Sequence, residues 1–215
     1  MIENLCLGKR KNKSTKFSEN LNVLSIFVFQ TMFGIPMSKK ILLSSKEIHI
    51  ILHRLACQLI ENHNNFENTV LIGIQPRGIF LAERLVAILQ NDYDISNVKL
   101  GHLDITFYRD DFRRREAPLE ANKTIIDFIV EDKNVVFIDD VLFSGRSIRA
   151  ALTAIQSFGR PSDIELLVLI DRRFSRHLPI QPDYTGRQVD VINEEKVIVH
   201  WVEKDTKDAV YILNN

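Results

Sequence analysis

The apolar residues of this chain fall into runs of two kinds. Val135-Val136-Phe137-Ile138 is unbroken, the pattern of a strand buried on both faces of a parallel sheet. Asp139 and Asp140 close it, a Ser144-Gly145-Arg146-Ser147 turn follows, and residues 148–155 space their apolar side chains for one helix face. Residues 69–74 repeat the theme: a buried strand, a Gln75-Pro76-Arg77-Gly78 turn, then a helix through 79–85. Residues 164–171 make another long buried strand. Residues 98–108 alternate instead, with Leu100, Leu103, Ile105 and Phe107 against Lys99, His102, Asp104 and Thr106, and predict one half-buried strand. Nearer the start, Ser44-x-x-Glu47 is a capping box. The helix it opens puts Ile48, Ile51, Leu52, Leu55 and Leu59 on one face, and His49, His53, Arg54 and Gln58 on the other. The alternation of strand and helix predicts an α/β fold: a central, mostly parallel sheet flanked by helices, with sites at the strand C-termini. The segment after Asp171, through Pro182-Asp183-Tyr184-Thr185-Gly186, reads as a small C-terminal hood rather than another βα unit, completed by short strands at 197–202 and 209–213.

Composition narrows the setting. A chain of 215 residues, 45% apolar, suits one α/β domain with extensions. Its 28 basic and 28 acidic residues cancel, so no global basic field announces nucleic acid, although local patches remain open. Cys6 and Cys57 are far apart and lack metal-ligand spacing, which fits a reducing cytoplasm. His49 and His53 lack the intervening Glu of a metal-binding helix and read as a solvated face. Residues 1–36 differ from the rest: a basic run at 9–13, then an uncharged stretch holding Phe27, Phe29 and Phe33. That order superficially resembles a secretory signal, but no small-x-small cleavage site follows. We expect an upstream extension over 1–36, poorly ordered or loosely packed, with Met37 as the more natural start and one domain over 37–215. No run is long enough to span a membrane.

The chemistry concentrates between Asp139 and Ser147. Gly145 lets backbone approach an anion closely, and the free N–H groups of the following helix start point at it. Ser144 and Ser147 add hydroxyl donors. Asp139 and Asp140 would repel a phosphate, so they suit hydroxyl groups, or a divalent cation held between hydroxyls and a diphosphate. A sugar carrying both a phosphate and a diphosphate uses every part. Neither a Walker loop nor a Gly-x-Gly-x-x-Gly fingerprint is present. The competing reading is an acidic turn that merely caps the next helix.

The stretch 135–147 resembles the phosphoribosyl pyrophosphate (PRPP) binding motif of type I phosphoribosyltransferases. The resemblance implies that Asp139 and Asp140 take the ribose hydroxyls. It gives the 5′-phosphate of PRPP or UMP to Val141, Leu142, Phe143, Ser144, Gly145, Arg146 and Ser147. The Gln75-Pro76-Arg77-Gly78 turn resembles the family's pyrophosphate loop, with Arg77 on the diphosphate. That loop often holds a cis bond, and Pro76 makes one accessible. Tyr108, Arg109, Asp110, Asp111, Arg113, Arg114 and Arg115 lie in a charged, aperiodic segment. Its arginine run fits a nucleic-acid patch, a solvated loop or a lid. Its place after the third strand favours the lid that type I enzymes close over the reacting centre.

Three features narrow the base. In 6-oxopurine transferases an Asp stands where this chain has Phe143, and orotate enzymes usually have a small hydroxyl residue there. Residues 103–111, Leu-Asp-Ile-Thr-Phe-Tyr-Arg-Asp-Asp, closely resemble a stretch of the PyrR family, the bifunctional pyrimidine operon regulators with uracil phosphoribosyltransferase activity. Gly159-Arg160-Pro161 and the 178–186 segment are similar to that family too, and the resemblance runs from about residue 41 to 213. It implies uracil plus PRPP giving UMP plus diphosphate. Mg2+ would be held through PRPP rather than by the protein. Asp139, Asp140, Arg77 and Arg109 would be the catalytic set, and uracil would lie against the hood near Phe143. It also implies a cytoplasmic homo-oligomer, a dimer or higher, and a second partner, an mRNA leader hairpin. His53, Arg54, Arg160, Arg172, Arg173, Arg176 and His177 are the candidate RNA contacts. Two departures bear on that role: Cys57 replaces a family His, and the segment after Asp171 is one residue longer than the usual form. The alternatives are a non-catalytic nucleotide-sensing RNA-binding regulator and a transferase for another base.

Overall fold

The computed structural model describes residues 39–110, 121–190 and 195–214. The expectations for residues 1–36, and for Asp111, Arg113, Arg114 and Arg115, lie outside the described residues. The elements in order are β1 (Lys39–Ser44), α1 (Ser45–His63), β2 (Thr69–Ile74), α2 (Gly78–Asn91), β3 (Lys99–Leu103), β4 (Asn134–Leu142), α3 (Arg146–Ile155), β5 (Asp163–Arg172), β6 (Tyr184–Val189), β7 (Glu195–His200) and β8 (Ala209–Asn214). Short 3-10 turns stand at Thr106–Tyr108 and Arg173–Ser175. The capping box is formed: Ser44 Oγ accepts from the Glu47 N–H, and the Glu47 carboxylate accepts from the Ser44 N–H at 2.8 Å.

Five strands make a parallel sheet in the order β3-β2-β4-β5-β6. Its unbroken apolar strands are explained by cores on both faces. Along β4, Val136 and Ile138 enter the core that also takes α1 and α2, while Val135 and Phe137 enter the core against α3. β4 does not stop at the acidic pair. It runs on to Leu142, with Asp139 opposite Val168 and Leu142 opposite Asp171. The carboxylates therefore sit within the last pleats of a central strand.

Two expected elements differ. The alternating 98–108 run yields only the five residues of β3, because the Asp104 carboxylate accepts from the Thr106 N–H at 3.0 Å and its hydroxyl at 2.6 Å. This local turn outcompetes the sheet ladder and leaves Phe107 66% exposed. Residues 184–189, expected in the hood, are instead the fifth core strand, paired to β5. The remaining sheet is antiparallel, order β1-β8-β7, so the hood takes its third strand from the N-terminal side.

β6 joins the core only because position 186 has no side chain. A Cβ on Gly186 would lie far inside contact distance of the Leu169 carbonyl and 2.9 Å from Ile51 Cγ2. Gly186→Ala should cost about 2 kcal/mol and lower Tm by about 4–8 °C, as overpacking does in a domain of this size. Calorimetry checks this, and an unchanged Tm would show that β6 is free to move away from β5.

Candidate active site

β2 and β4 are neighbours, with Gly73 opposite Ile138, so the turns that follow them open at one sheet edge. Gly78 brings the two together. A Cβ there would collide with the Ile138 carbonyl and stand 3.0 Å from Asp139 Cα, so only glycine lets the start of α2 press against the acidic strand. Arg77, the N-cap of α2, is thereby carried to Asp140. The Gln75–Pro76 bond is cis, as expected for this turn. Gln75 itself faces inward: its N–H donates to Leu103 O at 2.9 Å and its Nε2 to Lys123 O at 2.8 Å. It ties β2 to its neighbours, leaving Arg77 as the polar group of the turn on the acidic side. The Arg77 guanidinium donates to the Val199 carbonyl and lies 3.6 Å from Asp205 Oδ2.

Burial dominates the acidic pair. It lifts the Asp139 carboxyl well above the ordinary carboxylate range, with the neighbouring Asp140 charge adding to it and Arg109 opposing it. Burial also pushes Asp140 up to about 6, against the pull of Arg77. Asp139 Oδ1 accepts from the Asp140 N–H at 2.9 Å. Such a pair is poised to gain hydrogen-bond donors.

The strand then opens into the small-residue turn. Gly145 has φ +87°, a conformation that favours glycine, and caps α3. Ser144 is nearly buried, and its hydroxyl lies 3.5 Å from the Arg146 N–H. Residues 141–148, with Asp139 and Arg109, line a cavity of about 340 Å³. Arg109 Nη1 donates to Ser147 Oγ at 3.4 Å. Asp110 pairs with Arg149 at 2.8 Å and Arg146 at 3.4 Å. The 106–110 stretch, with Tyr108 41% exposed, is thus docked on the start of α3. Asp104 anchors this arrangement, accepting also from the Asn122 N–H at 2.9 Å. Its role was missed in the alternation, although Asp-x-Thr is a legible turn signal.

On the other side lies a cavity of about 650 Å³ walled by Asp171, Arg176, Pro179, Ile180 and Gln188. Arg176 is its keystone. Nη1 donates to the carbonyls of Leu142 at 3.1 Å, Phe143 at 2.6 Å and Arg172 at 3.0 Å; Nε donates to Ile180 O at 3.0 Å; Nη2 binds the buried Asp171 carboxylate. Phe143 is 41% exposed, and the Arg172 guanidinium lies 4.1 Å from its ring centroid. The His177 N–H donates to Ser144 O at 3.1 Å. The structure does not gather the seven candidate RNA residues into one surface. Arg172 is buried and Arg176 is consumed internally. Arg160, beside Glu131, stands at the opposite end of β5 from Arg173 and His177, about 30 Å away by strand rise. Arg173 pairs with Asp190, Arg54 binds the carbonyls of Thr185 and Gly186, and His53 lies 3.8 Å from Asp92 at the end of α2.

Among the described residues no three His, Cys, Asp or Glu side chains converge as a metal cluster, and no helix is long and apolar enough to cross a membrane. The model of the phosphoribosyl transferase domain matches residues 38–204. The chain is 43% identical over 176 residues to the bifunctional protein PyrR of Chloroflexus aurantiacus, covering 82% of this chain and 96% of that one. The Clostridium novyi PyrR is 43% identical over 81% and 97% of the two chains, and the Enterococcus faecalis PyrR 40% over 82% and 97%. Solved structures share the fold: a Staphylococcus aureus hypoxanthine phosphoribosyltransferase, TM-score 0.59 at 19% identity over 81% and 91%, and that of Trypanosoma cruzi, 0.61 at 16% over 81% and 96%. The acidic strand end, the glycine-led turn and the full-length likeness to these relatives agree: the chain belongs to the PyrR family of phosphoribosyltransferases.

Proposed function

We propose that the chain transfers the phosphoribosyl group of PRPP to uracil, giving UMP and diphosphate. The observation that carries this is the proton-hungry Asp139–Asp140 pair, Asp140 buried and Asp139 half-buried on the cavity wall, facing the Gly145 turn with Arg77 alongside. Asp139 and Asp140 accept from the ribose hydroxyls. The N–H groups at the start of α3, with the Ser144 and Ser147 hydroxyls, hold the 5′-phosphate. Arg77 and Arg109 take the diphosphate as its bond to the ribose C1 breaks. Uracil forms the new C–N bond as the C–O bond to diphosphate breaks, and the proton of that nitrogen passes to the departing diphosphate. Charge develops on both sides of C1, so fixed donors and acceptors lower the barrier by orientation and electrostatics. Magnesium would be held through PRPP, where it would offset diphosphate charge, and the raised carboxyls of Asp139 and Asp140 fit the hydroxyls of such a complex. The base lies in the cavity beside Phe143, whose ring fills the place where an acid would read a purine.

We infer also a regulatory half, in which the nucleotide-loaded protein binds a leader-transcript hairpin. The near full-length likeness to relatives named bifunctional supports it. In this reading the α1 face of His53 and Arg54 contributes, and Arg172 and Arg176 do not. A homo-oligomer is the expected assembly, and Ile129, 75% exposed, is apolar surface that a second copy would cover.

Incubation of Mg-PRPP with uracil, orotate, hypoxanthine and adenine in parallel should yield nucleotide with uracil alone. Asp139→Asn/Asp140→Asn should lower the rate by about 100-fold or more. Product from hypoxanthine instead would refute the base assignment. The acidic pair also makes a pH prediction. Because the folded pKa of Asp140 is raised, its contribution to stability is intact below about pH 4, the ordinary carboxylate value, and is lost as pH rises through about 6. Asp140→Asn should therefore stabilise the ligand-free protein by roughly 2 kcal/mol at pH 8, with the gain fading as pH falls from 6 toward 4. A gain independent of pH in calorimetry would contradict the burial argument. For the RNA reading, hairpin affinity should fall steeply between 50 and 200 mM salt, by roughly tenfold for each two or so phosphates neutralised. A flat salt profile in filter binding would remove the basic face from the account.

A further inference from the structure

The antiparallel sheet contributes neither carboxylate of the acidic pair, yet its β7 strand and β7–β8 turn reach Arg77. Two arginines of α2 meet that turn. Arg77 and Arg84 are seven residues apart, two helical turns, and so share a face. Arg84 grips the turn with paired bonds to Glu203 at 2.8 Å and to Asp208 at 2.7 and 2.9 Å, and its guanidinium lies 4.7 Å from the ring centroid of the fully buried Trp201. The turn is also bonded to itself: the Trp201 N–H donates to Asp205 Oδ2 at 3.0 Å and the Val202 N–H to Asp208 Oδ1 at 2.8 Å. Asp205 therefore has little freedom, and its carboxylate lies 3.6 Å from Arg77 Nη1, which also donates to the Val199 carbonyl. The Trp201 N–H, with His200 and Arg77 behind it, keeps that carboxylate below the usual range and ionised.

We propose that Asp205 is a positioning residue for PRPP. Held by the Arg84-clamped turn, it aims the Arg77 guanidinium along the side of the site where the diphosphate leaves. This deepens the transferase reading and rests on it. A long arginine side chain on a solvent-facing turn samples many rotamers, and a fixed acceptor behind it removes most of them before substrate arrives. Val199 O and Asp205 both meet Arg77 Nη1, which fixes that corner of the planar guanidinium and leaves the Nε and Nη2 donors for the ligand. Asp205 acts only through Arg77, and it touches neither the base nor the ribose.

The test is a double-mutant cycle on the full chain, with steady-state kinetics in Mg-PRPP and uracil and calorimetric titration of Mg-PRPP as a second readout. Asp205→Asn should raise KM for PRPP and weaken its binding by about 5- to 20-fold, with kcat within about twofold and KM for uracil unmoved. Asp205→Glu should recover part of the loss. In the Arg77→Ala background the same Asp205→Asn change should have no further effect, since the group it positions is gone. Asp205→Asn with unchanged or tighter PRPP binding overturns the inference, the latter because it makes the carboxylate a competitor for Arg77. An undiminished effect in the Arg77→Ala background overturns it equally. A wild-type chain that binds PRPP but makes no UMP refutes catalysis while the titration still scores the cycle. A wild-type chain that binds no Mg-PRPP refutes the transferase reading and the inference with it.

Discussion

Placing two adjacent carboxylates in the last pleats of a central parallel strand is the unfavourable feature around which the rest is arranged. Asp139 and Asp140 lose water, repel each other and, among the described residues, have no full ion pair in compensation. A fold optimised for stability alone would place hydroxyls or amides there. The cost is tolerable because β4 is flanked by β2 and β5 and covered by cores on both faces, so the strand end cannot relax toward solvent. The same rigidity makes the pair useful: the carboxylates are already oriented, and a ligand with hydroxyl groups meets acceptors that need no reorganisation.

What surrounds the pair is set by close approaches rather than by charge alone. Gly78 presses α2 against the Ile138 carbonyl and delivers Arg77. On the opposite side Arg176 gathers carbonyls from the ends of β4 and β5 and from residue 180, and joins them to Asp171. An arginine bound to several carbonyls and one carboxylate acts as a cross-link where three chain segments diverge. Without it the backbone leaving Leu142 would need other donors, and the glycine turn would lose its fixed relation to the 176–180 segment that packs on it. The glycine turn and the cavity beyond Asp171 therefore share one wall, and its geometry depends on the largely buried Arg176–Asp171 ion pair.

Much of this was legible in residue order. The unbroken strands, the capping box and the two strand–turn–helix units follow from local rules, the cis bond before Pro76 is implied by the family resemblance, and the structure bears them out. The illegible parts are non-local or are local competitions that alternation hides. β3 ends early because the Asp104 side chain offers the backbone a better partner than the sheet. Residues 184–189 look like turn sequence because Gly186 lies in them, yet that glycine is what lets the strand cross Leu169. The pairing of β1 with β8 joins the two ends of the described chain, which no window along the sequence can reveal. Arg172 and Arg176 look like surface cations by type, and only burial distinguishes them from Arg173 and Arg54.

The same distinction resolves how a chain of zero formal charge serves an anionic substrate. Most described arginines near the site already have acidic partners: Arg84 with Glu203 and Asp208, Arg176 with Asp171, Arg173 with Asp190, Arg146 and Arg149 with Asp110. Their charges cancel at short range and shape the backbone instead of building a field. In the proposed reading, anion affinity is left to groups whose charge is partial or fixed in direction: the N–H groups at the start of α3, the hydroxyls of Ser144 and Ser147, and an Arg77 braced from behind by the second sheet. A site built this way distinguishes a phosphate at one set position from anions in general, because donors that cannot move satisfy only a ligand of matching geometry. In the proposed reading, the hood's contribution to specificity thus begins at the diphosphate end, through the turn that joins β7 to β8 and meets Arg77.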